Sequence, residues 1–221
     1  MQKVLLLISI TLFSVGYSQY NRFEVGIESG PAFGKFWGTG VTADFYKSTP
    51  SYALGTYFRI NLAKFIGVQT GIYTERLSTL DNVILKNANN QMKGDGKFMM
   101  DADYITIPIL AKFNVGNKFQ ANFSIGTFLS YLTNYTVSVD YGNVFPTGCV
   151  SYNYTDLMNR FNTGVSLGAG FDYVLMQRMK LGVECRDQLG LYNISRSNDG
   201  NNFFGTNSFQ VLVRMGYMFG D

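Results

Sequence analysis

Residues 105–131 read ITIPILAKFNVGNKFQANFSIGTFLSY, and the alternation within them decides the fold. Ile105, Ile107, Ile109, Ala111 and Phe113 share one parity before the break NVGNK. Phe119, Ala121, Phe123, Ile125, Leu129 and Tyr131 share one parity after it. Thr106, Lys112, Gln120, Asn122, Ser124 and Gly126 lie between them. Strand side chains alternate faces with a period of two, so this is an antiparallel hairpin closed by a small Gly-Asn turn. One face is apolar, and it must meet either a protein core or a lipid bilayer.

The same period recurs along the chain and predicts eight strands, near 22–30, 52–61, 64–76, 103–114, 118–132, 161–174, 178–190 and 207–219. Each is about ten residues or longer, which suffices for a tilted strand to cross a bilayer. Three connections, at NLAK, NVGNK and LMQRM, are tight. The other four, 31–51, 77–102, 133–160 and 191–206, are long and rich in Asn, Gly, Ser, Asp and Thr. Short and long connections in alternation put all the long loops at one end, as in a barrel with tight periplasmic turns and extended external loops. The reading is an all-β, eight-stranded antiparallel up-and-down transmembrane β-barrel.

Parity decides which face meets lipid. One face collects Val25, Ile27, Phe58, Val68, Ile72, Val165, Leu167, Phe171, Val183 and Val213. The other collects Glu24, Glu28, Arg59, Glu75, Lys112, Glu184, Arg186 and Arg214, interleaved with Gly26, Gly55, Gly67, Gly71, Gly126, Gly164, Gly168, Gly170 and Gly182. Glycine weakens a solvated strand but suits a crowded interior. Mixed charges inside a narrow barrel can pair across it, where an unpaired charge is costly. The charged face is therefore read as a structural network in the lumen and the apolar face as lipid-facing, with closure satisfying every backbone group. A soluble lipocalin-like barrel would require the opposite orientation. Phe65, Phe113, Phe119, Tyr173, Tyr217 and Phe219 beside the short turns, and Tyr52, Tyr131, Phe161 and Phe209 towards the long loops, would form the two interfacial girdles. Pro108 falls mid-strand and predicts a bulge or a missing ladder bond. Asp187 has the outward parity, and its height above the turn suits the headgroup layer.

Composition agrees with this class. Aromatic residues make up 16% of the 221 residues, with 24 Gly, only 4 Pro and a net charge of +3. No basic block suggests nucleic acid. The opening MQKVLLLISITLFSVGYSQ has Lys3, an apolar stretch from Val4 to Val15, and small Gly16 and Ser18. That is an export-signal pattern, giving a signal peptide at 1–18 and a barrel domain at 19–221. Cys149 and Cys185 are read as two unpaired thiols, too far apart for a disulfide.

YITIPILAKF, FSIGTFLSYL and the late hairpin SLGAGFDYVLMQRMKLGVECRDQLGLYNIS carry a likeness to a known family. Ile107-Pro108, Lys112, Gly126, Ser130, Gly168-Ala169-Gly170, Tyr173, Glu184, Arg186, Leu191 and Asn193-Ile194 stand where its motifs fall. Over most of the mature chain the sequence resembles the PorT-like outer-membrane β-barrel family of Bacteroidetes. The resemblance implies an eight-stranded outer-membrane barrel, and for one namesake a link to type IX secretion. Cys185 and Asp187 replace commoner residues of that pattern. The last strand, SFQVLVRMGYMFGD, resembles the signal read by barrel-assembly machinery, although Gly220 and Asp221 follow the aromatic Phe219.

The sequence contains no histidine, which excludes Ser-His or Asp-His hydrolysis and histidine-held metals. GTG, GDG and GAG lack a P-loop context and read as turn or packing glycines. The loop DNVILKNANNQMKGDGKFMMDAD is acidic at its ends without the order of a helix-loop-helix calcium site. No catalytic residue, cofactor or metal is expected. The expected protein is a non-enzymatic outer-membrane barrel with a side-chain-filled lumen, acting in a structural, binding or assembly role through its external loops. Trp37, Phe45, Tyr46, Tyr135 and Phe145 are the candidate loop contacts. Its partners would be outer-membrane lipid, the barrel-assembly machinery and another cell-envelope or secretion protein. The alternatives are a small channel or carrier, a secretion accessory, and a soluble periplasmic barrel.

Overall fold

In a computed structural model, residues 22–39, 47–86, 92–141, 148–176, 178–196 and 203–220 are described. The strands are β1 (Phe23–Gly38), β2 (Lys47–Ala63), β3 (Ile66–Lys86), β4 (Met92–Gly116), β5 (Phe119–Asp140), β6 (Cys149–Asn153), β7 (Phe161–Met176), β8 (Met179–Gly190) and β9 (Phe204–Phe219). Eight of them close a ring in the order β4-β3-β2-β1-β9-β8-β7-β5, and β5 pairs back with β4. All pairings are antiparallel, and the first and last strands meet with Phe23 opposite Phe219. β6 stands outside the ring, paired along the outer part of β5.

The opening hairpin is β4–β5, with Ile107 opposite Leu129 and Phe113 opposite Phe123. Its apolar parity points outward: Ile107 is 42% exposed, Phe123 47% and Leu129 50%. The girdle aromatics are exposed as well, including Phe65, Phe119 and Tyr173 at one end and Tyr52, Tyr131 and Phe161 at the other. Tyr131 meets Phe161 edge-on at 5.4 Å, and Phe119 stacks on Phe171 at 5.4 Å. Pro108 stays in register with Phe128 on β5. On its β3 side the ladder jumps from the Thr70–Ile109 pair to the Tyr73–Thr106 pair without a shift. The proline therefore leaves a gap and no bulge, as its missing N–H dictates.

Three of the four expected long connections need correction. The connections 31–51 and 77–102 are largely strand, because β1, β2, β3 and β4 continue beyond the girdle. Part of 133–160 is strand too, in the outer end of β5 and in β6, followed by a 3-10 turn at Thr155–Leu157. The reason is an inversion of the side-chain pattern. Within the membrane the outward residues are apolar and the inward ones polar. Above it the outward residues include Arg76, Ser78, Asp101 and Asp103, while Phe36, Leu77, Met100, Ala102, Tyr104, Leu132, Tyr135 and Val137 form a buried apolar core with Ile194. An apolar core surrounded by water is the ordinary soluble arrangement, so one continuous strand carries two opposite patterns.

A bulge assists that inversion. Asp103 pairs with Asn134 and Tyr104 with Leu132, which leaves Thr133 as an extra residue in β5. An extra residue re-aims everything beyond it, so Tyr135 and Val137 turn inward.

Candidate functional site

The lumen is crossed by linked polar side chains. At its periplasmic end Glu24 on β1 accepts hydrogen bonds from Tyr57 on β2 (2.7 Å) and from Lys180 on β8 (2.9 Å). Its other neighbour is Arg59, at 3.3 Å. Arg59 in turn donates to Gln69 on β3 at 2.9 Å. Gln69 then donates to Glu28 at 3.1 Å.

In the middle, Arg186 on β8 donates to Glu28 at 2.8 Å and to Glu184 at 3.2 Å. Arg214 on β9 donates to Asp172 on β7 and to Glu184, both at 2.6 Å. Lys112 on β4 also reaches Glu184, and Ser124 on β5 completes that carboxylate's shell at 3.0 Å. The Arg186 guanidinium lies 5.5 Å from the centre of the Tyr73 ring. Lys112–Glu184, Arg186–Glu28 and Arg214–Asp172 join strands that are not neighbours in the ring, so the charges tie separate parts of the wall together.

Glu75 on β3 lies towards the outer end and is held by neutral donors. Thr106 donates to it at 2.7 Å, and Ser208 and Gln210 reach it from β9. All eight candidate lumen residues, Glu24, Glu28, Arg59, Glu75, Lys112, Glu184, Arg186 and Arg214, face inward and are at most 4% exposed. Seven share the connected cluster, while Glu75 stands apart above it. Ions are desolvated at a cost of several kcal/mol each, by order of magnitude, and only such mutual pairing offsets it.

Crowding accounts for the glycines on this face. A Cβ on Gly182 would come 2.1 Å from the Asp172 carboxylate and 2.7 Å from Arg214 Nε. A Cβ on Gly216 would meet the Tyr57 hydroxyl at 2.4 Å and Glu24 at 2.8 Å.

Sequence reasoning missed Asp172 and Lys180. Both were legible: Lys180 has the parity of Gly182, Glu184 and Arg186, and Asp172 has that of Gly168 and Gly170. The tyrosines Tyr57 and Tyr73 were missed because tyrosine on a barrel strand usually marks an interface. Here both lie inside and donate to carboxylates, Tyr73 to Glu28 at 3.0 Å.

The candidate loop contacts fare differently. Trp37 lies on β1, half-buried, with its ring 4.8 Å from that of Phe203 and its indole N–H donating to the Thr206 carbonyl at 3.1 Å. It fastens the return of the chain into β9. Tyr135 is only 4% exposed, edge-on to Phe36, with its hydroxyl 3.1 Å from Met100 Sδ. Neither is a free contact: the strands run further out than expected and carry both into the external core. Phe45, Tyr46 and Phe145 lie outside the described residues. Among the described residues, exposed apolar side chains of the external part include Ile84, Tyr152, Tyr154, Leu157, Leu191 and Tyr192. Asp187 is half-buried and accepts a hydrogen bond from Asn207 at 3.1 Å. Both cysteines are free and exposed, Cys149 at the start of β6 and Cys185 on the lipid face of β8.

Among the described residues, no group of three or more His, Cys, Asp or Glu side chains could hold a metal. A cavity of about 280 Å³ opens at the periplasmic end, lined by Asn61, Lys64, Asn114, Asn117, Gln120 and Lys180 among others. Lys180, at the inner side of this cavity, is the residue paired with Glu24.

Comparison with known families agrees with this geometry: residues 17–196 match the family described as outer membrane protein beta-barrel domain. The chain belongs to that family. Membership in the outer membrane protein beta-barrel family makes the protein a component of the bacterial outer membrane. No curated protein sequence matches the chain. Among solved structures it is similar to Neisserial surface protein A, at 12% identity and a TM-score of 0.49, covering 89% of this chain and 97% of that one. It is also similar to OprG from Pseudomonas aeruginosa, at 14% identity and a TM-score of 0.47, covering 91% and 98%. A third is Ail of Yersinia pestis, at 13% identity and a TM-score of 0.42, covering 89% and 98%.

Proposed function

We propose that this barrel is a non-enzymatic anchor that presents its external assembly to a partner at the cell envelope. One observation carries the reading: ionic side chains from non-adjacent strands meet inside the lumen, Lys112 on β4 reaching Glu184 on β8 and Arg186 on β8 reaching Glu28 on β1. At eight strands an interior is just wide enough for side chains to fill. A filled interior serves rigidity and display better than passage. The apolar core around Phe36, Leu77 and Tyr135 supports the same reading, since it stiffens the external extensions and leaves Tyr152, Tyr154, Leu157 and Tyr192 on their surface.

Export by a signal peptide at 1–18, insertion by barrel-assembly machinery and membership of the PorT-like group of Bacteroidetes form part of the proposal, on the motifs quoted above. The partner is a cell-envelope or secretion protein. The test combines two measurements. Protein in planar bilayers should show no unitary conductance. A photocrosslinker placed at Leu157 or Tyr192 in cells should form a discrete protein adduct that the same group at Ile107 does not. Stepwise conductance that disappears in Arg214→Gln would overturn this reading in favour of a small channel.

A further inference from the structure

The lumen network is uneven at its periplasmic end. Arg59 and Lys180 both turn to Glu24, at 3.3 Å and 2.9 Å, and among the described residues it is the only acid ion-paired with either. The remaining inward bases, Lys112, Arg186 and Arg214, are paired with Glu28, Asp172 and Glu184 deeper in the lumen. Glu75 lies towards the outer end, held by Thr106, Ser208 and Gln210. Two cations therefore face one carboxylate at this end, and a buried charge in excess is costly until an opposite one joins it.

The excess adjoins open space. The cavity of about 280 Å³ meets Lys180 at its inner side, and Lys64, exposed in the turn after β2, also lines it. Lys180 gives Glu24 one hydrogen bond at 2.9 Å, of the three that an ammonium can donate. Among the described residues no acidic side chain lines this cavity.

A buried carboxamide stands beside the lysine. Asn114, on β4 with the inward parity of Lys112, lines the cavity and is only 8% exposed. Its Oδ1 is buried without a partner, so the planar amide presents its Nδ2 donor to the cavity. Amides buried in this way are uncommon in native folds and call for an explanation. Ala63, Val174 and Met218 complete the lining with an apolar wall. Ammonium and amide donors beside an apolar wall suit an anion that carries a hydrocarbon part, whereas an inorganic anion would leave the wall unused.

We propose that the periplasmic mouth is a binding site for a small organic carboxylate, its oxygens held by Lys180 and Asn114, with Lys64 nearby and its apolar part against Val174 and Met218. The cavity lies just below the roughly 300–1,000 Å³ of sites for drug-sized ligands, which limits the ligand to a smaller molecule. The ion pairs behind Lys180 close the inner end, so the ligand binds without passing through. The site stands independently of the external assembly's role.

The test is calorimetric titration of the full protein in detergent with N-acetylalanine, its neutral carboxamide and inorganic phosphate. Wild type should bind N-acetylalanine saturably, at least about tenfold more tightly than the carboxamide, because the charge-assisted bonds to Lys180 and Asn114 need the carboxylate. Phosphate should bind more weakly than N-acetylalanine. Lys64→Gln/Asn114→Leu should weaken N-acetylalanine by about tenfold or more, and Lys35→Gln at the external end should leave it unchanged. The comparison of acid with carboxamide uses the wild type alone, so it decides the matter even if the double variant fails to fold. No saturable binding at millimolar N-acetylalanine, or equal binding of acid and carboxamide, would overturn the proposal. So would phosphate binding at least as tightly, or a folded double variant of undiminished affinity.

Discussion

Replacing Glu184 by Gln removes one charge from the centre of the lumen and almost nothing else. Its carboxylate receives Lys112, Arg186 at 3.2 Å and Arg214 at 2.6 Å. At an effective dielectric constant of about 20, unit charges about 4 Å apart attract by about 4 kcal/mol. Much of the summed attraction offsets the several kcal/mol, by order of magnitude, that burying the carboxylate costs. The Gln side chain fits the space but leaves three cations facing only Glu28 and Asp172 nearby. Breaking a buried ionic cluster in this way costs about 3–5 kcal/mol. Urea unfolding from lipid vesicles measures it, with the single tryptophan, Trp37, as the fluorescent reporter. Adding Lys112→Met to Glu184→Gln restores the charge balance and should recover at least about 1 kcal/mol through coupling of the pair. A loss below about 1 kcal/mol for Glu184→Gln, the level of exposed pairs, would refute the reasoning, because it would mean that water screens the lumen.

Three further substitutions test other parts of the account. Ile107→Lys places a charge on the lipid face of β4 and should destabilise the inserted protein by about 2–4 kcal/mol in the same unfolding assay. Gly216→Val drives a side chain into Tyr57 and Glu24, and should cost at least about 1–3 kcal/mol, read as a lower denaturant midpoint. Phe36→Ala empties the external core, where Phe36 stacks on Phe204 at 5.0 Å, at a cost of about 3–5 kcal/mol confined to that region. Limited proteolysis should then cut the external strands rapidly and leave a membrane-protected barrel fragment.

The membrane-spanning part of the fold was legible because one rule governs all of it. Ile105, Ile107 and Ile109 alternate with Thr106 and Leu110, and a period of two with apolar residues out and glycines or charges in repeats on every strand. The lumen charges were legible for the same reason, since parity alone separates Glu184 and Arg186 from Cys185. The external extensions were not, because the rule reverses where the surroundings change from lipid to water. Leu77 and Met100 point inward there, while Ser78 and Asp101 point outward and bond to each other at 2.6 Å. A reader following one parity loses the strand at that level, and the extra Thr133 shifts the parity again in β5. Trp37 and Tyr135 were misplaced as loop anchors for this reason. Asp172 and Lys180 followed the rule and were overlooked.

The most direct test of the central claim is a collision measurement at single sites. After Cys149 and Cys185 are replaced by Ser, nitroxides are attached at Cys substituted for Ile107, Phe123 or Val213 in the vesicle-inserted protein. Each should relax strongly with membrane-dissolved oxygen and weakly with a water-soluble nickel chelate. Strong nickel relaxation with little oxygen effect at these three positions would put the apolar face in water or a closed core, and the inside-out reading of this barrel would be wrong.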